Sequence, residues 1–183
     1  VIYFNFDHLE RASPFVTGKD GKPLAKNPLR DLRVRKAISK AINRPAIAER
    51  VMEGQATPAG QLVSEKLFGN VPGMKAEAYD PDGAKKLLAE AGYPDGFNLT
   101  IHGPSGRYVN DEKIVQAVAQ MLTRVGIVSK VETAPMGPYS ARASKQEFSF
   151  HMVGWGASTG ESSSPLRSLL ATFNRDKGLG AVN

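Results

Sequence analysis

An apolar run opens the chain, Val1-Ile2-Tyr3-Phe4-Asn5-Phe6, and its β-branched and aromatic residues predict a strand paired in a sheet. Residues 12–30 follow with Pro14, Gly18, Gly21, Pro23 and Pro28, which predict a long connection. The spacing then becomes helical. Val34, Ala37, Ile38, Ala41 and Ile42 recur on one side, while Arg33, Lys36, Lys40 and Arg44 fall opposite at about 100° per residue. Asn43 is a cap for a second helix with Pro45 in its first turn, and Ile47, Ala48 and Val51 carry that helix to a stop at Gly54. Two short helices are therefore predicted, near 31–42 and 44–53.

Residues 54–79 sustain no period and hold two prolines and four glycines, so an irregular excursion is expected there. Asp80-Pro81 reads as a cap and a first helical residue, Ala84, Leu87, Leu88 and Ala91 form one stripe, and Gly92 supplies a left-handed stop. A turn at Pro94-Asp95-Gly96 leads into a strand near 97–102. Asn110 is expected to cap a helix with an acidic first turn and a buried face of Ile114, Val115, Val118, Met121, Leu122 and Val125, ended by Gly126. Alternation over Ile127–Thr133 predicts a strand, Pro138–Lys145 a weaker helix, and Phe148–Trp155 a central strand that runs into a Gly/Ser-rich loop. Strand, helix, strand, helix, strand favours an α/β fold with a mixed, partly parallel sheet flanked by helices. There is no internal repeat, so residues 1–183 are read as one lobe.

Composition narrows the classes. At 183 residues with 41% hydrophobic residues, the chain is long and apolar enough for a core without staples. It has no cysteine, which excludes disulfides, thiolate metal sites and cysteine nucleophiles. No apolar run approaches the ~18 residues of a bilayer span, and no leader precedes Val1, so the expectation is a soluble piece already processed or excised, without direct membrane insertion. Net charge is +6, but residues 19–50 alone carry ten basic and three acidic side chains, or +7, leaving −1 elsewhere. No aromatic residues interleave with those cations as a base-stacking surface requires, so a solvated basic helix back is expected and nucleic acid is not.

In an open α/β sheet, ligands settle beyond the carboxyl ends of parallel strands. That rule selects the loops at 103–109 and 156–164, provided their strands are parallel members of one sheet. The first offers Arg107 and Tyr108; the second follows Trp155 and offers Gly156, Ser158, Thr159 and Glu161. A guanidinium, two amphipathic aromatics, hydroxyls and glycine backbone suit a polar organic ligand better than bond breaking. Catalytic templates find little support. His8, His102 and His151 lack metal-site spacing, Gly154-Trp155-Gly156-Ala157-Ser158 is not a nucleophile elbow, and neither a dinucleotide fingerprint nor a Walker A sequence is present. No catalytic residue, metal or cofactor is expected.

The run Leu29-Arg30-Asp31-Leu32-Arg33-Val34-Arg35-Lys36-Ala37-Ile38-Ser39-Lys40-Ala41-Ile42-Asn43-Arg44 resembles the signature of the peptide/nickel-type, family 5 solute-binding proteins of ABC importers. Tyr79-Asp80-Pro81 through Gly92-Tyr93 resembles that family's second helix, and Val153-Gly154-Trp155 its strand into the ligand loop. The resemblance implies a periplasmic-binding-protein-like lobe, a C-terminal-lobe fragment of a longer two-lobed protein, since Ala181-Val182-Asn183 completes no element. It also implies a periplasmic or extracellular location and importer membrane subunits as partners. Dipeptide-binding members carry an aspartate three residues after the tryptophan, where it pairs with the ligand's amino terminus; here that position is Ser158, and Glu161 is the nearest acid.

The expected function is therefore capture of a small peptide or similar polar solute by hinge closure. Trp155 would wall the pocket, Arg107 would meet a carboxylate, and Gly156, Ser158 and Glu161 would supply hydrogen bonds. Two alternatives belong to other classes. One is a hydrolase or transferase pairing a loop serine with His102 or His151 within hydrogen-bond reach. The other is nucleic-acid binding through the basic helix.

Overall fold

The computed structural model describes residues 1–6, 12–156, 158–174 and 176–180; His8, Ala157 and the last three residues, discussed above, lie outside that set. Its centre is β3 (Asn98–Ser105), which is buried from Ile101 to Pro104. β4 (Val128–Pro135) pairs with it in parallel along the whole length, from Asn98↔Val128 to Ser105↔Pro135. A strand has two edges, so its other partners share the second. β2 (Val16–Thr17) lies antiparallel at the start of β3, and β5 (Phe150–Gly154) is parallel to it further on. β1 (Ile2–Phe6) closes that side, antiparallel to β5 from Ile2↔Gly154 to Phe6↔Phe150. The expected mixed, partly parallel sheet is present, and the parallel members are the three strands of the strand–helix alternation.

β3 and β5 meet at a single register pair, His102↔His151. Each of the other edges of β5 and β3 carries five or more such pairs with β1 and β4. The seam in the middle of the sheet is thus its least hydrogen-bonded joint, and packing must hold it.

One face of the sheet carries the main core. Leu99 and Ile101 of β3 and Phe150 and Met152 of β5 are almost fully buried against α1 (Leu32–Ala41), α3 (Pro81–Glu90) and α4 (Asp111–Arg124). Gly103 is required by that packing, because a Cβ there would stand 2.6 Å from Val115 Cγ2 of α4. Phe4 and Phe6 of β1 stack on Phe150 with ring centroids 5.1 and 4.9 Å away. On the opposite face, α5 (Met136–Ser144) lays Tyr139 and Ala143 over Phe148.

Three of the expected caps form as the sequence signals them. Asp31 accepts from Arg33 N at 2.8 Å, Asn43 from Ala46 N at 3.0 Å and Asp80 from Gly83 N at 2.8 Å. Gly54, Gly92 and Gly126 have φ of 75°, 91° and 102°. The second helix is shorter than expected as an α-helix: α2 spans Arg44–Ala46 and continues as a π turn over Ile47–Val51. Residues 54–79 carry no helix or strand, as anticipated.

The basic back of α1 is less solvated than its periodicity suggests. Arg33 chelates Asp31 and donates to Glu90 O at 2.6 Å at the end of α3. Lys40 reaches Glu77 at 3.1 Å and Asp80 at 3.3 Å at its start, while Lys40 O accepts from Asp80 N at 2.9 Å. Arg44 donates to Ser39 O at 3.0 Å and to Ser39 Oγ at 2.9 Å. Arg33 and Lys40 thus fasten α1 to the two ends of α3, which gives part of the basic segment a structural role.

Because Phe150 joins β1 to β5 as well as filling the core, Phe150→Ala is expected to destabilise the chain by about 3–5 kcal/mol, read as a lowered urea midpoint at unchanged slope.

Candidate functional site: the rim beyond β3 and β5

β3 and β5 are parallel, so both chains leave the sheet at the same edge. There the phenol of Tyr108 spans the gap: it donates to Gly154 O at 3.3 Å and accepts from Gly154 N at 3.1 Å. It stands where a neighbouring strand's backbone would, at the residue of β5's last register pair with β1, Ile2↔Gly154. A side chain at residue 154 is incompatible with this, since a Cβ would lie 2.5 Å from two ring carbons of Tyr108. The bend that carries Arg107 and Tyr108 and the bend that follows Trp155 therefore open on one rim.

Asp111 sets the shape of the first bend. Its carboxylate is buried and accepts from Arg107 N at 2.8 Å, Tyr108 N at 3.0 Å and Glu112 N at 2.9 Å. Burial raises its pKa, but the four backbone N–H groups of Tyr108, Arg107, Glu112 and Gly106 outweigh that and hold it below the ordinary carboxylate range. The expected role of Asn110 is corrected here. Asn110 takes a left-handed conformation, φ 55°, makes no side-chain cap, and donates from Nδ2 to Val51 O at 2.9 Å. Asp111, the first helical residue, instead accepts from the loop N–H groups of Arg107 and Tyr108 and from Glu112 N.

Arg107 is exposed, with its guanidinium carbon 5.4 Å from the centre of the Tyr108 ring. Trp155 is half-buried. Its N–H donates to Val1 O at 2.9 Å and its carbonyl accepts from the Val1 amino group at 2.8 Å, while its indole N–H is buried without a hydrogen-bond partner among the described residues. Gly156 and Ser158 are exposed. Glu161 is committed to its own loop: it accepts from Ser163 Oγ at 2.7 Å, Ser163 N at 2.7 Å and Thr159 Oγ1 at 3.0 Å, and these bonds depress its pKa. Of the six predicted site residues, Tyr108 is bonded to the last residue of the strand that Trp155 follows, Arg107 stacks on Tyr108, and Gly156, Ser158 and Glu161 lie on the adjoining loop.

Sequence reasoning did not anticipate the part played by the excursion. Phe68 N donates to Gly160 O at 3.2 Å and Phe68 O accepts from Ser162 N at 3.1 Å, so residue 68 pairs beside Glu161 and backs the loop. No periodic signal marks it, because the contact is a single bridge. His102 and His151 lie within the sheet, 1% and 0% exposed, whereas Ser158 sits on the exposed loop; nothing favours a serine–histidine pair.

With this rim in view, the comparison with known proteins becomes specific. The profile of the Bacterial extracellular solute-binding proteins, family 5 Middle, matches residues 1–177. The chain belongs to this family. The glutathione-binding protein GsiB of Escherichia coli K12 is 35% identical over 156 residues, covering 82% of the chain and 30% of the relative. GsiB of Shigella flexneri serotype 5b gives 35% over 157 residues with the same coverage. The chain thus spans about three tenths of the length of these curated relatives. Among solved structures, the periplasmic binding protein DppA of Helicobacter pylori in complex with the peptide STSA superposes with TM-score 0.67 at 27% identity, over 85% of this chain and 29% of that one. HbpA2 of Haemophilus parasuis superposes with TM-score 0.73 at 23% identity, over 92% and 32%, a likeness of fold alone. The family 5 fold is that of periplasmic binding proteins. Among the described residues no helix is long and apolar enough to cross a membrane.

Two measurements test this geometry. Tyr108→Phe leaves Gly154 N–H without its acceptor and is expected to cost about 1–2 kcal/mol in a denaturation series. Asp111 has a lowered folded-state pKa, so its contribution is complete above the ordinary carboxylate value and is lost as pH falls through the folded value. The wild-type chain is accordingly expected to lose more stability than Asp111→Asn between about pH 5 and about pH 2, read as the melting-temperature difference at each pH.

Proposed function

We propose that the chain is one ligand-binding lobe of a longer, two-lobed receptor that captures a small peptide or similar polar solute outside the cytoplasmic membrane and hands it to the membrane subunits of an ABC importer. The observation that carries this reading is the common rim. One wall combines an exposed guanidinium braced on an aromatic ring, a half-buried indole, and a loop of glycines and hydroxyls, which is the mixture of apolar area and few directed polar groups that suits a polar organic ligand. Relatives named for glutathione and for peptide binding support the cargo class.

In this mechanism Arg107 meets a solute carboxylate as a charge-assisted donor, and Trp155 supplies the apolar wall. Gly156 and Ser158 contribute hydrogen bonds from the loop. Glu161 acts by holding that loop in shape, since its oxygens are already taken by Thr159 and Ser163. Closure of the second lobe would complete the site. No bond is made or broken in the cargo.

Calorimetric titration of the full-length receptor with short peptides is the test. Arg107→Ala is expected to weaken binding about tenfold or more, since a hydrogen bond to a charged group contributes about 1.5–3 kcal/mol. The isolated chain, lacking the opposite wall, is expected to bind the same peptide more weakly than the full-length receptor. Equal affinity for wild type and Arg107→Ala removes Arg107 from the site, and no binding of any peptide overturns the reading.

A further inference from the structure

The two bends of the rim with their flanking residues, 103–112 and 155–164, carry three carboxylates, Asp111, Glu112 and Glu161, against one cation, Arg107. By composition the rim is acidic, but its acids are spent within the fold. Asp111 is 4% exposed, and its Oδ2 accepts from Arg107 N and Tyr108 N while its Oδ1 accepts from Glu112 N. Glu161 gives Oε1 to Thr159 Oγ1 at 3.0 Å and to Ser163 Oγ at 2.7 Å, and Oε2 to Ser163 N at 2.7 Å. Glu112 turns its Oε1 to Thr133 Oγ1 at 3.1 Å, and Thr133 belongs to β4, on the edge of β3 away from β5.

Two carbonyls of the second bend are taken as well. Gly154 O accepts from the Tyr108 hydroxyl at 3.3 Å and Gly160 O accepts from Phe68 N at 3.2 Å. The indole of Trp155 has a donor and no acceptor. What the rim holds in reserve is the exposed guanidinium of Arg107, which stacks on the Tyr108 ring and pairs with no carboxylate among the described residues, and the exposed, uncharged hydroxyl of Ser158.

We propose that this wall selects its solute by carboxylate and leaves ammonium unread. The inference rests on the receptor function proposed above and names the cargo class: carboxylate-bearing solutes, amine-blocked peptides among them, for which a free amino group adds nothing to affinity.

The two ends of a peptide meet different chemistry here. An ammonium brought against the wall gives up water, finds no carboxylate of the bends with an oxygen to spare, and is repelled by the guanidinium. A carboxylate gives up water and gains a charge-assisted, bidentate partner. That partner is already oriented, because the ring beneath it is fixed by Gly154 at one end and its own backbone N–H by Asp111 at the other, so little conformational freedom is lost on binding. Discrimination is the difference between these two outcomes. Acetylating the amine of a solute removes the repelled charge, and masking its carboxyl removes the bonded one.

The test is calorimetric titration of the full-length receptor at neutral pH with glutathione, N-acetylglutathione and glutathione diethyl ester, and with trialanine, N-acetyltrialanine and trialanine amide. For a parent compound that binds, the acetylated form is expected to bind within about threefold of it or more tightly, and the form with masked carboxyl about tenfold or more weakly, because a hydrogen bond between charged groups is lost. Arg107→Ala, at an exposed position, is expected to shrink the gap between free and masked carboxyl to about threefold or less. A loss of more than about threefold on acetylation overturns the inference and leaves the receptor function standing. Equal binding of free and masked carboxyl, or a gap that Arg107→Ala leaves unchanged, also overturns it. Binding of none of these compounds defeats the receptor function and the inference with it. The wild-type comparison of the three forms decides the matter if Arg107→Ala does not fold.

Discussion

The arrangement depends on a phenol standing in for a strand. β3 and β5 share one register pair, and the two chains would diverge beyond it if nothing bridged them. Tyr108 bridges them by using both capacities of its hydroxyl on the N–H and C=O of Gly154. That constraint propagates in both directions. It demands a glycine at 154, a bend that delivers residue 108 back over the sheet, and a buried carboxylate, Asp111, to fix that bend. Arg107 and Trp155 inherit their positions from it, the one as neighbour of the tyrosine, the other as neighbour of the glycine.

The sheet divides its labour between its faces. One side is a conventional apolar core in which α1, α3 and α4 bury aliphatic stripes. The other is aromatic and half polar, with two imidazoles, a phenol and a guanidinium packed around Phe148. The basic side chains of α1 belong to neither. They tie the first helix to the cap and the last turn of α3, so the most charged segment of the chain is a fastening between two helices.

Elements with a strong period were readable from the residues alone. The stripe Val34, Ala37, Ile38, Ala41, the Asp80-Pro81 start and the glycine stops at 92 and 126 each report a local requirement, and local requirements are written in adjacent residues. The shared edge of the two loops was readable too, because it follows from strand direction. What escaped were contacts between residues distant in sequence. Asn110 reads as a cap by composition; that its side chain instead reaches Val51 O, while Asp111 takes the loop N–H groups, depends on where the fold places residues 51, 107 and 108. Glu161 is a local exception: Thr159 and Ser163, two residues away on either side, turn back upon it through loop geometry that composition does not specify. The bridge from Phe68 to the serine loop leaves no trace in any window of the sequence, since one backbone pair needs no particular side chain.

The mutual bonds between Val1 and Trp155 join residues 154 apart in sequence. A strand whose partner is that remote cannot be paired until nearly all the intervening chain exists, so during synthesis β1 waits as an unprotected apolar ribbon while the helices between are made. The topology that gathers the rim at one edge thus imposes slow, late closure of the sheet. The apolar residues of β1 have no strand partner until β5 arrives.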